Sequence, residues 1–322
     1  MARSTALAPA PERRAAATAA AGARPPTDRA TRVVGAVFRG HSALIYLFLY
    51  VPIALVILFS FNAGDFAGEL RGLSLRWYGE AFGDRFVMKA LQTSLIVAFA
   101  SATLATAFGT IAALALQRVP PALRAVYDGL TYIAIVIPGI VIGIASLVFF
   151  VNAFDWFNPL VGSLWPGSLG EAPVLNLGIP TVIGAHVLFT MAIVIVLVRA
   201  RLAGMDRTLV EASYDLFATP WRTFIQVTLP QLAPAMLAGY LLSFVFSFDE
   251  YVIASFVKGQ DTTLPILVFS QIHRPPVTPK INAIGTVILT ISLSALFIVQ
   301  LIYRRQTRQA RALAEAAAAA EA

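Results

Sequence analysis

Two acidic residues stand side by side in an apolar run, Asp249 and Glu250 in LLSFVFSFDEYVIASFV (residues 241–257), with Tyr251 next to them. An ionisable side chain inside a membrane span is costly and so suggests a function. A carboxylate there would attract or guide a cationic solute. Successive helical residues point about 100° apart, so at most one of the pair faces a central pathway squarely. The competing reading places both carboxylates in the outer headgroup region. His186, in GAHVLFTMAIVIV, is a lone imidazole suited to a hydrogen bond with a neighbouring helix, or to a place near the outer interface. The other two histidines, His41 and His273, are far from it in sequence, and there is no cysteine. Thiolate metal sites, disulfides and a cysteine nucleophile are therefore excluded. The chain also lacks GxxxxGK[ST] and GxSxG, so it is expected to bind no cofactor or metal and to carry no catalytic residue. Energy from ATP would have to come from another polypeptide.

A second polar stretch, EASYDLFATPWRTFIQVTLP (residues 211–230), interrupts the apolar sequence. Glu211 to Leu216 can form a short helix that then breaks. Thr219-Pro220 supplies an N-cap and a proline at the first helical position. Trp221, Phe224 and Ile225 give a second helix an apolar face, and Pro230 introduces the next apolar run. The spacing predicts a helix–turn–helix along the cytoplasmic face, serving either as a docking element or as an interfacial connector.

The elements that must position these residues are membrane helices. Of 322 residues 58% are hydrophobic and 13% charged, with a mean hydropathy of +0.76. Soluble domains carry about a quarter charged residues. Segments without Lys, Arg, Asp or Glu run 40–64, 90–117, 129–154, 172–198, 223–248 and 281–303. Each exceeds the roughly 20 residues a crossing needs. Pro173 and Pro180 suggest a later start for the fourth. With both termini inside, 17 of the 24 basic residues fall in cytoplasmic segments, so charge bias selects N-in, C-in. The net charge of +7 is read as a topology signal rather than as a nucleic-acid footprint. The expected fold is an all-α polytopic membrane protein with six transmembrane helices. Residues 1–39 read as a disordered basic tail, 40–305 as the transmembrane domain and 306–322 as a cytoplasmic Ala-rich tail. Gly139 and Gly143 form a GxxxG beside Pro138, suited to close helix packing and a kink. The small residues Ala98, Ala100, Ser101, Ala105, Ala107 and Gly109 read as a packing surface in the second span.

LVEASYDLFATPWRTFIQVTLPQLAPAML resembles the EAA loop of ABC-transporter permease subunits, whose usual form is EAA-x3-G, a helix and a terminal LP. Glu211, Ala212, Asp215, Leu216, Ala218, Pro220, Leu229 and Pro230 fall in register. The resemblance implies a coupling helix that fits a groove on an ATP-hydrolysing subunit, with Glu211 making polar contacts and Phe217, Ala218, Thr219, Pro220 and Trp221 filling the groove. Two positions depart from the pattern. Ser213 replaces the third motif residue, and Phe217 stands where glycine is usual. A glycine there permits a left-handed turn that a phenylalanine disfavours. The turn must therefore differ, or Phe217 must be held in a strained conformation. LSLRWYGEAFGDRFVMKALQTSLIVA is similar to the outer segment and second-span entry of binding-protein-dependent permeases. SFDEYVIASFVKG with TLPILVFSQI looks like the spermidine/putrescine subfamily, second-permease type.

That resemblance implies an importer subunit in the bacterial inner membrane. It would work with a second permease, an ATP-binding subunit dimer and an extracytoplasmic solute-binding protein, and Asp249 and Glu250 would suit a polycation. Gly139, where many polyamine permeases carry an acid, and Ala192, in place of a span-four proline, leave opine, amino-acid or ferric-ion subfamilies open. A secondary transporter would show inverted repeats and more intramembrane charge; neither is found. A membrane enzyme lacks its catalytic cluster.

Overall fold

A computed structural model describes residues 29–320. The chain forms two units, residues 1–55 and 56–322. The first holds most of α1 (Arg29–Ser60). Its apolar side chains, Phe38, Leu47 and Phe48 among them, are exposed, as suits a helix surrounded by lipid. The basic tail expected through residue 39 is helical from Arg29 onward, and its remainder lies outside the described residues.

The second unit is helical, with α2 (Arg76–Gly83), α3 (Arg85–Ala115), α4 (Pro121–Val136), α5 (Gly139–Leu164), α6 (Ile179–Ala203) and α7 (Thr208–Asp215). Helix α8 follows, Pro220–Asp249, made of a first turn Pro220–Thr223, a π-helical turn Phe224–Thr228 and an α-helical body Leu229–Asp249. Then come α9 (Val252–Val257), α10 (Leu264–Ile272) and α11 (Lys280–Ala320). Among the described residues there is no strand, only an isolated bridge between Asn62 and Leu73. Among the described residues six helices are long and apolar enough to cross a membrane: α1, α3, α5, α6, α8 and the first part of α11.

Helices α3, α6 and α8 form the centre. Small residues allow their close approach: Ala98, Ser101, Ala102, Ala105 and Gly109 are buried at helical spacing along one face of α3. A Cβ on Gly109 would sit 2.8 Å from Val194 Cβ. Ala107, assigned to that surface from sequence, points outward instead, because it lies between the buried rows. At one end Asp84 caps α3, accepting from Phe86 N–H at 2.7 Å, and pairs with Lys280 at the start of α11.

Two expectations need correction. The third apolar run, 129–154, is not one helix. Pro138 lacks an N–H and disfavours helix at Ile137 (ψ 131°), so α4 ends at Val136 and α5 restarts at Gly139. The second helix of the 211–230 stretch is also not a separate element. It continues through the π turn into the fifth span, with Leu229 N–H reaching back five residues to Phe224 O. Pro230 and Pro234 lack N–H groups, and the altered ladder sits just before them.

Candidate functional site

The stretch from α7 to the start of α8 forms one tip of the bundle. Glu211, Ala212, Ser213 and Asp215 lie on α7, which ends in a Schellman motif: Ala218 N–H bonds Ser213 O and Phe217 N–H bonds Tyr214 O. Phe217 occupies the left-handed position with φ 58°. The turn is therefore the one a glycine would make, adopted by a bulky residue at a cost of about 1–2 kcal/mol. Thr219 Oγ1 accepts from Arg222 N–H and Pro220 opens the next helix, as the spacing predicted. Ser213, the other departure, ties the two helices together through a 2.8 Å bond between its Oγ and Thr223 Oγ1. Leu216 is 81% exposed, Phe217 96% and Trp221 68%. The tip thus exposes three large apolar side chains close together.

The second site lies where α8 ends. The backbone leaves the helix at Glu250 and resumes as α9, an element with no signal of its own in the sequence. Glu250 turns inward. Its two oxygens accept the N–H groups of Ile253 and Ala254, each at 2.9 Å, closing the first turn of α9. Oε2 stands 3.5 Å from His186 Nε2, longer than a good hydrogen bond, and His186 Nδ1 is 2.7 Å from Ser247 Oγ. His186 is buried and uses α8 as its neighbouring helix. It lies about 10 Å along α6 from Ile179 at 1.5 Å per residue, whereas Asp249 is the last residue of α8 and Glu250 lies just past it.

Asp249 turns the other way and is exposed, both its oxygens accepting from Ser292 Oγ of α11 at 2.9 Å. Tyr251 packs its ring on Phe269, centroids 4.3 Å apart. The structure thus gathers His186, Glu250, Asp249 and Tyr251 at one break and divides the two carboxylates between inward and outward faces. Sequence reasoning missed Ser247 and Ser292. Ser247 precedes Glu250 by three positions, a same-face spacing that could have flagged it. Ser292 carries no such signal. The break also needs Gly143, where a Cβ would lie 2.6 Å from Phe256 Cδ2 and 3.3 Å from Ile253 Cα. Close packing at the GxxxG is therefore real at Gly143, while Gly139 is less crowded, with its nearest neighbour at 3.7 Å. Among the described residues there is no group of metal-ligating side chains.

Relatives place this geometry in context. The chain is 38% identical over 248 residues to the putrescine transport system permease protein PotI of Escherichia coli K12, covering 76% of this chain and 82% of that one. It is 32% identical over 278 residues to the spermidine/putrescine transport system permease protein PotC of the same organism, covering 86% and 97%. Among solved structures, a bacterial ABC transporter involved in import of the acidic polysaccharide alginate matches with a TM-score of 0.63 at 14% identity, over 86% of this chain and 99% of that one. The same kind of transporter in complex with an alginate-bound periplasmic protein gives 0.65 at 14%, over 85% and 95%. These two likenesses establish the fold alone. Residues 105–310 match the binding-protein-dependent transport system inner membrane component, and the chain belongs to that family of multi-pass transport permeases.

Proposed function

We propose that this chain forms half of the translocation pathway of an ABC importer for polyamines in a bacterial inner membrane. The observation that carries the reading is Asp249. Its carboxylate is anchored by Ser292, lies at the break where α8 ends and is exposed on this chain. In this reading that charge faces a water-filled path rather than lipid. A second permease would close that path from the other side. Glu250, His186 and Tyr251 shape the break behind it. The relatives are permeases of putrescine and spermidine systems, and a polycation complements an exposed carboxylate.

Both termini lie in the cytoplasm in this reading. Arg118, Arg124, Arg201, Arg207 and Arg222 gather at the end of the bundle away from the Asp84–Lys280 pair. The 211–221 tip then faces the cytoplasm, where it docks on an ATPase subunit through Leu216, Phe217 and Trp221. ATP-driven closure of the ATPase dimer moves the tip, and its direct continuation into α8 carries the motion to the break at Asp249. This is rigid-body gating through one docked element. A solute-binding protein delivers the cargo from outside.

The test measures polyamine uptake by the assembled transporter. Asp249→Asn is expected to lower uptake roughly tenfold or more, the scale of a lost hydrogen bond to a charged group, with the subunits still associated. Unchanged uptake would remove Asp249 from the pathway. Binding of putrescine, spermidine, amino acids and ferric ion to the partner binding protein tests the substrate directly, and selective binding of a non-cationic solute would overturn the polyamine assignment.

A further inference from the structure

A groove between the C-terminal end of α3 and the facing surfaces of α4 and α6 changes character along its length. At the end near Ala203 it holds a cavity of about 300 Å³ whose charged lining residues are Arg124, Arg199 and Arg207. Two of these are held in place. Arg124 donates to the carbonyls of Leu116, Gln117 and Val119, and Arg199 makes a two-pronged pair with Asp128. The Arg207 side chain has no hydrogen-bond or ion-pair partner among the described residues. Three guanidiniums face one carboxylate, so the cavity keeps a surplus of positive charge.

Leu116 also lines a second cavity, of about 470 Å³, so the two share that wall. There the lining is apolar: Tyr127, Leu130 and Ala134 from α4, and Leu188, Met191 and Ile195 from α6. The register explains the arrangement. On α6, Leu188, Ile195 and Arg199 recur at helical spacing on one face, as do Arg124, Tyr127 and Ala134 on α4. A cationic mouth above an apolar slot, opening beside membrane helices, matches a lipid with an anionic head and an acyl tail. Basic pockets between transmembrane helices on the cytoplasmic side are suited to such heads.

We propose that this groove binds an anionic phospholipid of the inner leaflet, with its phosphate among Arg124, Arg199 and Arg207 and an acyl chain against Tyr127, Ala134 and Ile195. The bound lipid bridges α3, α4 and α6 just behind the start of α7 at Thr208. It therefore braces the base of the 211–221 tip.

The test uses the full chain in its assembled, purified transporter, with lipid binding followed by native mass spectrometry. Phosphatidylglycerol is expected to bind in preference to phosphatidylcholine. Arg207→Gln, which breaks no internal bond, is expected to weaken phosphatidylglycerol binding roughly fivefold, the scale of one basic residue near an anionic surface. Ala134→Trp, which fills the slot, is expected to abolish lipid retention and leave binding of inorganic phosphate unchanged. Equal binding of the two lipids, or no effect of Arg207→Gln, overturns the proposal. Full competition by inorganic phosphate with no effect of Ala134→Trp shows a site for free phosphate and overturns the lipid assignment. Failure to retain any lipid in the assembled transporter shows that a partner subunit covers the groove, and also overturns it.

Discussion

The 211–221 tip and the break at Asp249 and Glu250 lie at opposite ends of one helix, α8, and are built on opposite plans. The tip comes from consecutive residues, and its largest side chains are exposed. It is shaped by local bonds: a Schellman turn, a threonine cap and one serine–threonine link. The break draws His186 from α6, Ser247 from α8 and Ser292 from α11, and shields most of its polar atoms. If the tip docks on a partner as proposed, it can be local, because the partner supplies the rest of the packing. A carboxylate turned in among apolar helices has to find its partners within the fold, wherever they lie in sequence.

The largest expected contrast comes from removing a carboxylate at each end. Glu250→Ala leaves two N–H groups of α9 without acceptors and should cost about 3 kcal/mol or more. Glu211→Ala removes an exposed side chain and should leave stability of the solubilised chain unchanged while it uncouples transport from ATP hydrolysis. Denaturation midpoints for the two variants, with uptake assays, check this, and equal destabilisation would erase the distinction. Next is Gly143→Ala, whose new Cβ meets Phe256 and the backbone of Ile253. An overpacking cost of about 1–3 kcal/mol is expected, against a near-neutral Gly139→Ala in the same melting experiment.

A smaller effect is expected at the tip. Phe217→Gly relieves the left-handed strain by about 1 kcal/mol and loses little burial, so the free chain should be as stable or slightly more so. Its binding to the ATPase subunit should weaken, since the exposed ring is gone. A less stable variant that docks normally would show that the ring packs internally.

The smallest effect concerns acid. The Lys280 ammonium, followed by the Phe86 and Val87 N–H groups, holds the Asp84 carboxyl below the usual carboxylate range against the opposing pull of burial. A depressed folded value means that the pair stabilises above the ordinary carboxylate pKa of about 4 and is lost as pH falls through the folded value. Asp84→Asn should flatten that acid limb of the stability profile and leave neutral uptake intact.

Much of the fold was legible because lipid demands long uncharged helices, and each charge gap overlaps one of the six, the third only in part. Legibility failed where proline and a buried carboxylate reshape a span. Pro138 divided what composition showed as one run. The turn at Glu250, with α9 beyond it, was hidden because VIASFV continues the apolar pattern without interruption. At the tip, the motif register gave the cap, the position of the turn and the odd residue Phe217, since these determinants lie within a few positions, while the left-handed conformation of Phe217 came from the structure. At the break, Asp249, Glu250 and His186 stood out as rare ionisable groups, but their partners did not.

By itself the sequence determined the membrane helices, the local geometry of the tip and the presence of two carboxylates in an apolar run. Periodicity, charge and capping act over a few residues and are written in order along the chain. The tertiary structure alone decided that Glu250 turns inward to seal α9 beside His186 while Asp249 turns outward to Ser292. That choice depends on which helices approach one another, and Gly143 permits the approach by carrying no side chain where α5 meets α9.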